Sequence, residues 1–403
     1  MKKPLTALTV ALSLLIPTNA IASVKAGSVC AKLNATTSVS GYKYTCIKSG
    51  KKLVWSKGVR VVVATPTPTP TPIAPSPIAP SPIAPSPIAP TPIAPTSFED
   101  LQSHLDGIIY GAWSKAAQKI QGSVSVLGNV QILVGPNTKE DDPNSLLALN
   151  LASKLYSNLN QVKTLYVIKF SLPDVAWAQQ QYDLFHAINN YPTGVADACN
   201  FLYCNGATAG TNNNGDGIII AGQGDRYSIR HSSGQVVAHE YAHTIQMLRA
   251  PCQGQLCWGD APPWLREGGA EWSGTASRFS GNFDDYLAIR KSSLATDYAL
   301  SYKYTADYMT RFLNPNPYLS PTQFDWHYWD KYDAQTSYSI GFMVNEILVN
   351  VKSPEAVLRM YSDIGAGKSF IEAFQQEFGM AWADACPIIA KAIASEIELG
   401  IQR

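Results

Sequence analysis

The sequence predicts an α+β protein, with a small mixed β-sheet followed by a mainly helical C-terminal part and preceded by a small disulfide-stapled β module. Three observations carry that expectation. Strand-like patterns cluster before residue 222, whereas helical patterns fill nearly everything after Ser233. A proline-rich stretch at 65–96 separates residues 97–403 from a short cysteine-containing segment. Hydrophobic residues make up 46% of the chain, enough for a sizeable core, while charged residues make up only 15%.

Taken in order, Lys2 and Lys3 precede an apolar run from Leu5 to Ile16, and Ala20-Ile21-Ala22 supplies a small-x-small site. Residues 1–22 therefore read as a secretory signal cleaved after Ala22, which leaves no transmembrane anchor and a secreted or cell-surface protein. In the module at 23–64, Tyr42 to Cys46 and Lys52 to Trp55 alternate like two strands joined at Ser49-Gly50. Some forty residues bury too little surface to fold unaided, so a disulfide is expected to help. The module resembles short cysteine-containing segments of secreted actinobacterial proteins, and two roles fit it: attachment to the cell envelope, or a folded spacer.

Residues 65–96 hold 13 of the 27 prolines, as Thr-Pro repeats and then Ile-Ala-Pro-Ser-Pro repeats. Proline at this density fixes φ and removes amide donors, giving a polyproline stalk. Residues 97–403 form the main domain. Ser97 and Asp100 read as a capping box opening a helix through Leu101, Leu105, Ile108 and Ile109. Val130 to Val134, Leu165 to Phe170 and Gly217 to Ala221 read as strands, with helical patterns at Leu146 to Leu159 and Val175 to Ile188. Of seven cysteines, the simplest pairing joins Cys30 with Cys46, Cys199 with Cys204 and Cys252 with Cys257, leaving Cys386 over. The 31 Lys+Arg against 30 Asp+Glu leave a formal charge of +1, which offers nucleic acid no cationic surplus.

The chemistry sits at His239-Glu240-Tyr241-Ala242-His243, inside a helical run from Gln235 to Met247. Residues four apart on a helix point the same way, so both imidazoles can bind one metal ion, while Glu240 is turned toward a water on it. Such a motif needs a third ligand. After 23 intervening residues comes Glu267, within Pro263-Trp264-Leu265-Arg266-Glu267-Gly268-Gly269-Ala270-Glu271-Trp272. Pro262 and Pro263 start a helix there, and Glu267 and Glu271 share one of its faces. Two carboxylates on the buried side of a Trp-flanked helix require a cation or donors.

These two motifs together resemble the gluzincin zinc metallopeptidases, in particular their peptidase MA-like branch. The resemblance spans roughly residues 215–380 and implies a zincin-like fold and one zinc per chain. Carried over residue by residue, it makes His239, His243 and Glu267 the zinc ligands and Glu240 the general base. Glu271 becomes the residue that orients a zinc-bound histidine, and Tyr338 the stabiliser of the oxyanion, with Tyr332 in reserve. It also implies that Gly217 to Ala221 is the edge strand that pairs with substrate, and that Phe370 to Phe378 closes the domain. Gln246 and Arg249 stand where metzincins require Gly and a third His, so that class departs. Asn212, Asn214 and Asp216 echo a calcium loop, but position one lacks Asp and position twelve is Gln223, so a polar turn is expected.

The expected function is exported zinc-dependent hydrolysis of peptide bonds in a peptide or protein substrate. Two alternatives accompany it: a surface-displayed binding protein on a zincin scaffold, and a zinc amidase acting on cell-wall amide bonds. The intact Glu240 disfavours the first, since a structural zinc requires no base.

Overall fold

The computed structural model describes residues 25–39, 42–57, 59–60, 91–139, 144–185, 194–199, 204–224, 229–251, 257–299, 304–314 and 334–400. The chain divides into two compact units, 1–87 and 88–403. The expected signal segment, most of the expected stalk, Cys252 and Tyr332 lie outside the described residues.

The first unit is a four-stranded antiparallel sheet of β1 (Thr36–Val39), β2 (Tyr42–Ser49), β3 (Lys52–Trp55) and β4 (Val59–Arg60). The first half of β2 pairs with β1, and its second half pairs with β3 through the turn at Gly50. β4 adds two residues along the start of β2. Cys30 is bonded to Cys46, which is fully buried at the middle of β2. β1 and β4 escape the sequence pattern because one lacks alternation and the other is only two residues long.

The second unit carries β5 (Asn129–Val134), β6 (Thr164–Phe170), β7 (Ala207–Thr211) and β8 (Gly217–Gly222) in the order β5-β6-β8-β7. β5, β6 and β8 run parallel and β7 is antiparallel to β8, so the sheet is mixed as expected. Alternating side chains of β6 divide its two faces. Leu165 and Val167 join the main core beneath Val237 and Tyr241. Ile168 and Phe170 join a second core with Ala178 and Phe185.

The helices are α1 (Ile108–Gln121), α2 (Ser145–Leu155), α3 (Val175–Phe185) and α4 (Gly194–Ala198), then α5 (Ile229–Ser232), α6 (Gln235–Arg249) and α7 (Pro263–Arg278). They continue with α8 (Phe283–Ala299), α9 (Ala306–Leu313), α10 (Ala334–Val351), α11 (Ala356–Gly365), α12 (Phe370–Phe378) and α13 (Trp382–Leu399). The capping-box expectation at Ser97 requires correction. Asp100 accepts hydrogen bonds from the amides of Thr96 and Ser97 ahead of two short 3₁₀ turns, and the α-helix starts only at Ile108.

The last proline repeat belongs to this unit rather than to a free stalk. Pro95 is buried, and Ala94 lies so close to α1 that a Cβ on Gly111 would come within 2.4 Å of it. α7 and α10 likewise cross at Gly268 and Gly341, where a Cβ on Gly268 would stand 2.3 Å from the Gly341 Cα. Farther from the sheet, Arg290 of α8 bonds Glu346 of α10 at 2.6 Å and Glu396 of α13 at 2.8 Å, and all three side chains are fully buried.

Candidate metal centre

α6 is buried on almost every side. Val237, Ala238, Tyr241, Ala242 and Ile245 pack into the core, which leaves His239 and His243 only 5% and 6% exposed. α7 faces it. Pro262 and Pro263 set its first turn, and the ring of Trp264 stacks on Trp382 at 5.4 Å, which anchors the helix with Glu267 and Glu271 toward α6.

His239 Nε2 and His243 Nε2 lie 3.1 Å apart, and Glu267 Oε2 is 3.2 Å from His243 Nε2 and 3.8 Å from His239 Nε2. Three donors bonded tetrahedrally at about 2.0–2.1 Å stand about 3.3–3.4 Å apart, and the observed edges bracket that spacing. Two imidazole nitrogens and one carboxylate oxygen suit zinc in both chemistry and separation. Burial disfavours a charged His239 ring, yet Glu267, Glu271 and Glu240 outweigh it and push its pKa up to about 10. Burial would also raise the Glu267 carboxyl, but His243 and His239 hold it well below the usual carboxylate range. The surroundings therefore favour positive charge at this point.

The far ring nitrogens are fixed as well. Glu271 Oε2 accepts from His239 Nδ1 at 3.1 Å, and its carboxylate also holds Gln235 Nε2, Ser293 Oγ and Arg230. Burial opposes ionised Glu271, but Arg230 and His239 keep its pKa at about 2. Gln246 Oε1 accepts from His243 Nδ1 at 2.8 Å, and Gln246 Nε2 donates to the carbonyl of Arg266, the residue before Glu267. One amide thus braces a candidate ligand on α6 and the backbone leading to another on α7. Sequence reasoning used Gln246 only to exclude another class. Its place one turn after His243 was a usable signal, whereas Ser293 on α8 left none.

Glu240 is 6% exposed and lies outside the donor triangle, on the wall of a cavity of about 380 Å³. Burial raises its pKa, with Glu267 adding to the effect and the two histidines opposing it. Tyr338 lies in the second turn of α10, and its ring stacks on His239 at 5.9 Å. Burial, together with the nearby carboxylates of Glu267, Glu240 and Glu271, raises its pKa. Asn205, Arg230, Ser293 and Gln335 complete the polar wall.

The expected edge strand requires correction. Gly217 to Ala221 belongs to β8, paired on both sides by β6 and β7 and wholly buried. Among the described strands the edge next to the cavity is β7, which meets it at Ala207 and whose Ala-Thr-Ala-Gly-Thr sequence carries almost no strand signal. Gly206 and Asn212 bond toward β8, so the alternation turns the amides and carbonyls of Ala207, Ala209 and Thr211 outward. Just upstream, a disulfide joins Cys199 to Cys204. Cys257 is also disulfide-bonded, and Cys386 is a buried free thiol that burial pushes up to about 12. Asn212 Oδ1 accepts from the amides of Asn214 and Asp216, which makes that segment a polar turn as expected. Among the described residues no helix is long and apolar enough to cross a membrane.

Comparison with protein-family models, with curated proteins and with solved structures gave no match.

Proposed function

We propose that the chain is a zinc-dependent metallopeptidase of the gluzincin kind, with His239, His243 and Glu267 holding the metal. The observation that carries the reading is the donor triangle with a buried carboxylate, Glu240, beside it on a cavity wall and the β7 edge next to that cavity. When bound, zinc supplies a water of lowered pKa and polarises the scissile carbonyl.

The remaining work belongs to side chains. Glu240 takes the proton of the attacking water and passes it to the leaving amine, a task its raised pKa suits. Glu271 and Gln246 accept from the Nδ1 atoms of His239 and His243, which leaves both Nε2 lone pairs for the metal. The Tyr338 hydroxyl, on the wall of the same cavity and kept protonated by its raised pKa, donates to the oxygen that gains negative charge. The outward amide and carbonyl of Ala207, the residue of β7 that lines the cavity, pair with an extended substrate backbone beside Glu240. The leader-like first 22 residues and the disulfides support action outside the cytoplasm.

The test is turnover of a broad peptide library by the full chain, followed by chelation and stoichiometric zinc return. The proposal expects turnover that is lost and then restored. Turnover that chelation leaves unchanged would sink it.

A further inference from the structure

A second cavity, about 580 Å³ in volume, lies on the face of the main sheet opposite α6 and uses none of the metal-centre residues. Its size falls in the range of small-molecule sites. Its floor is a row across three parallel strands, since the register sets Gln131 beside Tyr166 and Tyr166 beside Ile218. The second row is Leu133 beside Ile168. One wall is the last turn of α3, with Gln181, Leu184 and Phe185, and the other is the turn from Asn212 to Asp216.

The chemistry of this lining is narrow. Among the described residues the lining holds no Lys or Arg side chain, and Lys163 beside it donates through Nζ to the Asn214 carbonyl at 3.0 Å, so an anion would find no cation lining the cavity. The carboxylate of the described lining, Asp216, is bonded to Asn212 Nδ2 at 3.4 Å, so a cation would find one engaged ligand rather than a cage. The Asn212 amide is taken up within its own turn, which leaves the neutral amides of Gln131 and Gln181 beside Tyr166, Leu133, Ile168 and Ile218. A side-chain amide presents a donor and an acceptor side by side, which matches a pair of neighbouring hydroxyls. The Tyr166 ring is held edge-on by Phe185 at 5.8 Å and offers a rigid platform for a carbon-bound face. A ligand with hydroxyls at its rim and C–H groups on its faces has both properties.

We propose that this cavity is a binding site for a neutral glycan segment, separate from the metal centre. Its occupant would hold the protein on a saccharide-bearing surface or substrate while the metal centre acts elsewhere.

The experiment is isothermal titration of the full chain with cellotetraose, chitotetraose and maltotetraose, with a sulfated tetrasaccharide and an unstructured tetrapeptide as comparators. At least one neutral tetrasaccharide should bind at millimolar concentration or below. Gln131→Leu combined with Gln181→Leu should weaken that binding at least about tenfold, the effect of losing one or two hydrogen bonds, with zinc content unchanged. Gln131 is exposed on the edge strand β5, so Gln131→Leu alone provides a variant that folds as the parent does and should show a smaller loss. Absence of binding by all three neutral sugars overturns the proposal, as does binding that both variants leave intact. Equal affinity for the sulfated sugar overturns the neutral-ligand reading, and displacement of the sugar by the tetrapeptide makes the cavity a peptide groove instead.

Discussion

Individual atoms decide the roles of the two glutamates on α7. Glu267 Oε2 approaches both Nε2 atoms, whereas Glu271 Oε2 reaches His239 only at Nδ1. Glu267→Ala should therefore abolish stoichiometric zinc binding, read by elemental analysis of the purified full chain. Glu271→Ala should keep zinc but weaken it about 10- to 100-fold, the usual cost of losing a residue that orients a ligand. Stoichiometric zinc in the Glu267 variant with loss in the Glu271 variant would reverse the assignment. The four principal residues were legible because a helix repeats every turn, so spacings of four and a second four-residue pair announce two facing stripes. Arg230 and Ser293 were not legible. They reach Glu271 through the placement of α5 and α8, which no local spacing records.

Strands and helices were legible in proportion to their hydrophobic pattern. β6 and β8 are apolar runs buried on both faces, and α6 and α7 are announced by motif and prolines. β7 was missed because its residues are small and its neighbour β8 supplies most of the buried surface. That miss moved the expected free edge by one strand, since sheet order comes from long-range pairing that local pattern does not encode. The correction can be checked at Ala207, which lines the cavity and whose amide points away from β8. Ala207→Pro removes that outward donor and spares the β7–β8 ladder. It should lower kcat/KM for peptides about tenfold with zinc content retained. An unchanged kcat/KM in a folded, zinc-loaded variant would show that substrate does not use this edge.

At the scale of the whole domain, the metal centre rests on a helical layer tied together away from it. The buried Arg290 links α8, α10 and α13, and Tyr286 donates to the same Glu346 carboxylate. Removing the guanidinium strands two buried carboxylates, so Arg290→Ala should cost about 3–5 kcal/mol in denaturant unfolding. A change below about 1 kcal/mol, in the range of exposed ion pairs, would contradict the structural role. The α+β class was readable from the order of strand-like and helical patterns along the chain. The attachment of Ala94 and Pro95 to α1 was not, because the repeat that docks has the same sequence pattern as the repeats before it.

Under the proposed function Glu240 does chemistry in a site whose other residues hold the metal. Glu240→Gln preserves size and hydrogen-bonding shape but cannot take a proton from water, and it leaves the three donors untouched. The decisive measurement is peptide turnover by this variant beside its zinc content. One zinc per chain and turnover reduced at least about 100-fold are expected. Turnover at the parent rate, with zinc bound, would contradict it.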